Sequence, residues 1–524
     1  MKLSVRAGLA GIAAAAVALG IAEIVAVVTG PLSSPLLAVG GVVVDTVPGT
    51  VKDAAIAVFG TYDKTALITG TMILLALYAA GVGVVALRSW SLALAGVVLF
   101  TGVGTAAALT RHDAGFAAAL PSIAAGVAAM VALRHLITLA VATSPAETRA
   151  LVTVGGEDGA IAETRPSAPF PDDSRRRFLI GLGVTAGIAV VGGVGGRFLT
   201  SRRAVTAARN AVVLPPPVAA APTVPAGAQV EGVTAYVTPN EDFYRIDTAL
   251  YPPQIDPSTW ELRIHGMVRN PITLTWEQLL QRPMVSRYVT LACVSNEVGG
   301  DLIGNALWLG VPVKDLLDEA QPLPDADQAV SRSSDGWTCG TPTSVLRDGR
   351  DALLAIGMNG EPLPVSHGFP VRMVVPGLYG YVSACKWITE IELTRFADFD
   401  AYWVPRGWSA QGPIKTESRI DTPRNGAKRK PGPLMIGGVA WAQHRGITRV
   451  EIQVDAAPWQ QAKLAPAVSA DTWVQWSYEW QATPGDHTIQ VRATDSEGQT
   501  QTSTPAPPPP NGATGWHSIH ITID

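Results

Sequence analysis

Cysteine is scarce in this chain. Among 524 residues there are three, Cys293, Cys339 and Cys385. So few thiols exclude a disulfide-built scaffold, and the odd count leaves at least one unpaired. Charge is also thin, at 16% of residues, and the net formal charge is −4. That balance excludes the basic surface of a nucleic-acid binder. No GxGxxG and no phosphate-cradling GxxxxGK[ST] occurs, so nothing supports a dinucleotide or P-loop fold. Histidine is sparse in the first part, where only His112 and His135 occur. They close successive apolar runs on opposite membrane faces. Interfacial polar residues describe them better than a pair of axial haem ligands, and no haem is expected.

What is present divides the chain. Residues 1–142 are mostly Ala, Val, Gly and Leu, whereas all but one of the fourteen Trp lie in residues 231–524. A span needs about 20 apolar residues. Ala7 to Val28 qualifies with Glu23 as its only charge, and Ala66 to Leu87, Ser89 to Thr110 and Ala114 to Leu133 carry none. Leu36 to Gly60 is apolar but broken by Asp45, Pro48, Lys52 and Asp53, which predicts a re-entrant or interfacial segment. Phe178 to Gly196 makes a fifth span within 178–199.

The cytoplasmic loop 143–177 ends in Ser174-Arg175-Arg176-Arg177-Phe178-Leu179. Paired arginines followed by an apolar run have the pattern of a twin-arginine export signal, used by proteins that fold before export. A positive-inside flank of a membrane helix is the other reading. Lys2, Arg6, Arg88, Arg134 and Arg149 place the N-terminus inside, with Arg111 as a small exception. Five spans from that start put the C-terminal part outside the cytoplasmic membrane, with membrane lipid as one partner.

Residues 200–230 are rich in Ala, Val and Pro, which predicts an extended, semi-rigid tether. Residues 231–400 mix short elements. Trp260 to Ile264 alternates like a strand, Thr275 opens a capped short helix, and Ser286 to Leu291 and Val371 to Val375 read as strands. After a connector at 401–431, residues 432–524 are all β. Val450 to Val454, Thr488 to Ala493 and His517 to Ile521 alternate strictly, as in an immunoglobulin-like sandwich.

Two stretches carry candidate chemistry. Cys293 follows an apolar strand in Thr290-Leu291-Ala292-Cys293-Val294-Ser295-Asn296, where a thiolate can serve as a soft metal ligand; a lone cysteine is also an ordinary core residue. His367-Gly368-Phe369-Pro370-Val371-Arg372, followed by Pro376-Gly377 and Lys386-Trp387, concentrates cationic and titratable groups suited to an anionic ligand. Cys339 and Cys385 could pair, or Cys385 could sit beside Lys386 at a ligand.

These stretches, with Met358-Asn359-Gly360-Glu361-Pro362-Leu363-Pro364, make residues 231–524 resemble the sulfite oxidase family of molybdenum–molybdopterin enzymes. Gly438-Val439-Ala440-Trp441 and Trp516-His517 resemble that family's dimerisation domain. With the apolar N-terminal part, which lies outside the resemblance, the expectation is a multi-domain protein: an α-helical transmembrane region, an α+β sulfite oxidase-like molybdopterin domain and an all-β immunoglobulin-like sandwich. The resemblance implies that Cys293 is the catalytic thiolate on molybdenum. It implies that His367 and Arg372 hold the pterin phosphate, and that Ser383, Ala384 and Lys386 line the cofactor, with Asn296 beside the cysteine. Tyr244-Arg245 resembles an N-terminal pterin contact. Asp335 is a pocket candidate or simply a turn residue before Gly336.

One departure stands out. Where sulfite oxidases place arginines after the cysteine segment, Glu297, Val298 and Gly299 follow Asn296. A carboxylate there disfavours sulfite. The expectation is therefore a membrane-anchored oxidoreductase that moves an oxygen atom to or from a small substrate by two electrons. Electrons pass through a separate carrier, a quinone or cytochrome, and a homodimer is plausible. Sulfite oxidation or sulfoxide reduction proper is the alternative activity. A surface binding protein on a retired cofactor domain is the alternative of another class.

Overall fold

A computed structural model describes residues 2–30, 33–47, 63–111, 114–142 and 201–524, together with Val51, Val58, 180–185 and Gly187. The arginine motif, His112 and most of the expected fifth span lie outside the described residues; within that span, 180–185 and Gly187 are helical. The chain forms two compact units, Met1–Arg203 and Ala204–Asp524.

In the first unit, α1 (Leu3–Thr29), α2 (Pro35–Thr46), α3 (Asp63–Ala86), α4 (Trp90–Leu109) and α5 (Leu120–Ala142) follow in order. Four helical stretches, Leu3–Thr29, Thr65–Ala86, Trp90–Leu109 and Phe116–Val141, are long and apolar enough to cross a membrane. Helix α2 is too short for that. Its Asp45 pairs with Arg111 at 3.0 Å. Small residues let the helices meet closely: a Cβ on Gly11 would lie 2.0 Å from the Ala79 carbonyl oxygen.

The second unit begins within α6 (Ser201–Ala211), where the composition predicts an extended tether. Val205 of this helix joins a buried cluster with Val289, Leu291 and Trp308. Arg209 pairs with Glu361 at 3.0 Å and donates from Nε to the Leu363 carbonyl at 2.8 Å. Beyond it the chain is extended, as expected, but pinned. Val218 N–H donates to the Met284 carbonyl, and the Ala219 carbonyl accepts from Ser286 N–H. A proline-rich strap keeps free backbone groups, and an edge strand supplies their partners.

The central domain contains β1 (Glu261–Gly266), β2 (Ile272–Thr275), α7 (Trp276–Leu280), β3 (Val285–Ala292), β4 (Ile303–Pro312), α8 (Val313–Ala320), β5 (Gln328–Ser333), β6 (Thr338–Pro342), β7 (Leu353–Met358), β8 (Glu361–Pro362), β9 (Arg372–Val374) and β10 (Ile388–Thr394). One sheet runs β2-β1-β10-β5-β6 and the other β3-β4-β7-β8, with β9 on β7. Thr275 and Gln278 close a capping box on α7, as the sequence predicts.

The C-terminal region is a sandwich of two further sheets. Glu417–Thr422, Gly432–Trp441 and Val474–Ala482 lie in one, and Ile447–Val454, Gly485–Asp495 and His517–Ile523 in the other. Their inward residues, including Ile436, Val450, Ile452, Trp476, Ile489 and Val491, form its core. The sandwich is not a separate bead. Trp441 and Trp473 belong to the central domain's core cluster, and Trp473 N–H donates to Thr290 Oγ1 at 2.8 Å.

Candidate active site

Strand β3 delivers Cys293 to the lining of a recess. The turn after it is tied down locally. Cys293 N–H donates to the Leu302 carbonyl and its own carbonyl accepts from Asn296 N–H. Asn296 Oδ1 accepts from Leu302 N–H at 2.8 Å, so this side chain shapes the cysteine loop. The thiol is 8% exposed. Burial pushes it up from its ordinary range, while the Ser295 N–H, 3.4 Å from Sγ, acts in the opposite sense.

The second element is the turn 367–372. Gly368 has φ +114°, and a Cβ there would lie 2.9 Å from Arg372 Cβ and 3.2 Å from Lys386 Cβ. Only glycine satisfies both the conformation and the space. Its absence of a side chain lets Arg372 and Lys386 stand side by side, joined by an antiparallel bridge. His367 Nε2 lies 3.0 Å from the Asn240 carbonyl. A carbonyl only accepts, so Nε2 carries the proton. Burial, then Arg372 and Lys386, push His367 down to about 4. Arg372 donates from Nη1 to the His367 carbonyl at 3.2 Å and lies 5.0 Å from the Trp308 ring centre.

Of the residues singled out in the sequence, Tyr244, Cys293, Asp335, His367, Arg372, Ala384 and Lys386 line one recess. Arg245, Asn296 and Ser383 are not among its lining residues. Arg245 is exposed. Ser383 is buried and donates to the Tyr379 carbonyl at 2.9 Å, fixing the turn that carries Ala384. Asp335 answers to both readings: it lines the recess and its Oδ1 accepts from Trp337 N–H at 3.2 Å. Glu297 is exposed and is not a lining residue. Cys339 and Cys385 are buried and free.

Sequence reasoning missed Asp247, Trp337, Tyr381, Trp403 and Trp408, all of which line the recess. Asp247 Oδ2 meets Lys386 Nζ at 2.7 Å, both side chains being largely buried. The signal for the aromatic group was the density of rings in Tyr402-Trp403 and Trp408, inside a stretch with no periodicity.

The lining suits an anionic, sulfur-bound metal cofactor. It offers a buried thiol, a buried guanidinium, an ammonium and a neutral imidazole. Ser333 Oγ, also in the lining, is buried without a hydrogen-bond partner. Such a group has a reason to exist where a ligand supplies the partner.

Several known proteins are similar to parts of this chain. The oxidoreductase molybdopterin binding domain family matches residues 249–403. A bacterial Ig domain matches residues 417–491. Mitochondrial sulfite oxidase of Drosophila melanogaster is 29% identical over 315 residues, 50% of this chain and 54% of that protein. An uncharacterized oxidoreductase of Bacillus subtilis, YuiH, is 31% identical over 180 residues, 34% of this chain and 87% of that protein. The sulfane dehydrogenase SoxCD of Paracoccus pantotrophus aligns in structure with a TM-score of 0.48 and 22% identity, covering 55% of this chain and 83% of that one. The chain spans about half the length of the sulfite oxidases it matches.

Proposed function

This chain belongs to the sulfite oxidase family of molybdopterin oxidoreductases, and on that premise we propose that it transfers an oxygen atom to or from a small substrate by two electrons, anchored to the cytoplasmic membrane with its catalytic unit outside. It is a molybdenum oxidoreductase, and four apolar helices among its described residues could span a membrane. The observation that carries the proposal is the convergence of Cys293, His367, Arg372 and Lys386 on one recess.

Molybdopterin, when bound, would supply the two-electron oxygen-atom chemistry. The chain's own residues do the rest. Cys293 provides a thiolate for the metal. Arg372 offers donors to the pterin phosphate, and His367, whose Nε2 proton is held by the Asn240 carbonyl, lines the same group with Lys386 and Ala384. Asn296 and Ser383 act one step back, by holding the cysteine loop and the Ala384 turn. The aromatic walls exclude water.

Export of the folded unit through Arg175–Arg177 accounts for the motif's place after the first four helices. The charge pattern supports an inside N-terminus and a fifth span at 178–199. Electrons pass through a separate carrier, a quinone or cytochrome, without a haem of the chain's own. The sandwich offers a surface for a homodimer. Sulfite oxidation and sulfoxide reduction are the two activities to compare. Metal analysis of the full chain from a molybdenum-competent host tests the reading. Near-stoichiometric molybdenum is expected, and a folded chain that retains none overturns it.

A further inference from the structure

The recess is balanced in charge and rich in rings. Among its lining residues the lysine and arginine side chains are Lys386 and Arg372, and the carboxylates are Asp247 and Asp335. Lys386 is already matched by Asp247 at 2.7 Å. Arg372 is 5% exposed and packs over Trp308. On the proposed reading both cations also face an anionic cofactor, which leaves the lining no surplus positive charge for a second anion.

Part of the remaining lining is a group of rings that includes Tyr381, Trp403 and Trp408. Tyr381 and Trp408 lie 5.8 Å apart between ring centres and Trp408 and Trp403 6.1 Å, while Tyr402, outside the lining, backs Trp403 at 5.1 Å. The group is fixed from behind. Tyr381 donates its hydroxyl to the Ser409 carbonyl at 2.8 Å. Ser409 N–H donates to the Pro510 carbonyl in the sandwich's proline-rich loop. A rigid ring surface beside a charge-balanced floor suits an apolar substituent and disfavours a hydrated oxyanion.

We propose that the substrate is an uncharged organic oxide with apolar substituents, seated against Trp403 and Trp408, and not an inorganic oxyanion. This rests on the molybdopterin reading and names the substrate class of that site. In the reductive direction a sulfoxide takes two electrons and two protons. Its S–O bond breaks, and a thioether and water leave. The electrons come from the separate carrier; in the test, two reduced benzyl viologen radicals are oxidised per sulfoxide.

The experiment uses the full-length, molybdenum-loaded chain with methyl p-tolyl sulfoxide, trimethylamine N-oxide, nitrate and sulfite, the last with ferricyanide as acceptor. The sulfoxide or the N-oxide should exceed both oxyanions in kcat/KM by about tenfold or more. Tryptophan fluorescence gives the sulfoxide's Kd in the oxidised enzyme without turnover. Trp408→Ala should raise that Kd and the KM by about tenfold, and Trp408→Phe should restore most of the loss. Molybdenum-loaded enzyme that prefers sulfite or nitrate overturns this inference alone. So does an unchanged sulfoxide Kd in a folded Trp408→Ala variant. If Trp408→Ala does not fold, the wild-type substrate ranking decides. A chain without molybdenum overturns the cofactor reading and the inference together.

Discussion

Lys386 and Asp247 form a 2.7 Å ion pair with side chains only 10% and 8% exposed. They lie 139 residues apart in sequence, and the pair sets the charge of the recess. The ammonium also lies 4.6 Å from the Trp387 ring centre and donates to the Ser366 carbonyl at 3.4 Å. An ammonium so placed, stripped of its carboxylate, loses most of what offsets its desolvation.

Asp247→Asn should therefore destabilise the catalytic unit by about 3 kcal/mol, the cost of leaving one partner of a buried pair. The same change removes one negative charge from the lining and leaves Lys386 and Arg372 against Asp335 alone. The KM for nitrate or sulfite should fall while the sulfoxide KM stays within about twofold. Thermal melting and the two KM values check this, and an unchanged melting temperature would show that the pair contributes little.

Gly368→Ala forces a side chain into φ +114° and toward Arg372 Cβ at 2.9 Å. Strain of this kind costs on the order of 1–3 kcal/mol. Arg372 and Lys386 must part to relieve it, so molybdenum content should fall along with the melting temperature. A variant that melts lower yet keeps full molybdenum would show that the spacing of the two cations does not govern retention.

On the proposed ligation, Cys293→Ser should abolish turnover and leave the melting temperature of the cofactor-free chain almost unchanged. Serine nearly matches the volume of cysteine, and its hydroxyl can accept from Ser295 N–H, which lies 3.4 Å from Sγ. Retained activity would remove Cys293 from the metal.

The parts of this molecule legible in its sequence are those whose signal is local. Val450 to Val454 alternates because one face of its strand is buried, and it lies within the observed strand Ile447–Val454. Thr275 and Gln278 announce a helix start at their own spacing. Cys293 and the 367–372 turn stand out because their residue types are rare together. Asp247 was silent, since a carboxylate gains meaning only from the lysine that folding brings to it. Trp403 and Trp408 were read as part of a connector, because a loop that folds back over a recess has no period. Residues 200–230 read as a semi-rigid tether for a related reason. Proline-rich chain gives no hint of the edge strand it will lie against, and Val218 meets Met284 only in the folded unit.

Replacing Arg175 and Arg176 by Lys keeps the charge of the flank but removes the guanidinium pair. If the motif is an export signal, the catalytic unit stays inside and resists protease added from outside. If it is only a positive flank, topology is unchanged. Protease access in intact cells and in spheroplasts opened by lysis separates the two.

Two buried groups should give stability opposite pH slopes. Burial, then Arg372 and Lys386, push His367 down from 6.5 to about 4. The unfolded chain therefore takes up this proton first, and the stability His367 contributes above pH 6.5 is lost as pH falls toward 4. Glu417 moves the other way: burial pushes it up from 4.5 to about 8 against the pull of Lys415. Its Oε1 is buried without a hydrogen-bond partner. The unfolded carboxyl ionises first, so the stability present below pH 4.5 is lost as pH rises toward 8. The slopes oppose between 4.5 and 6.5, and above 6.5 Glu417 acts without His367. Glu417→Gln cannot ionise, so its melting temperature relative to wild type should climb steadily from pH 5 to pH 8. The integrated effect is several kcal/mol, since each pKa unit is worth about 1.4 kcal/mol. A difference constant over that range would mean that Glu417 holds one charge state throughout.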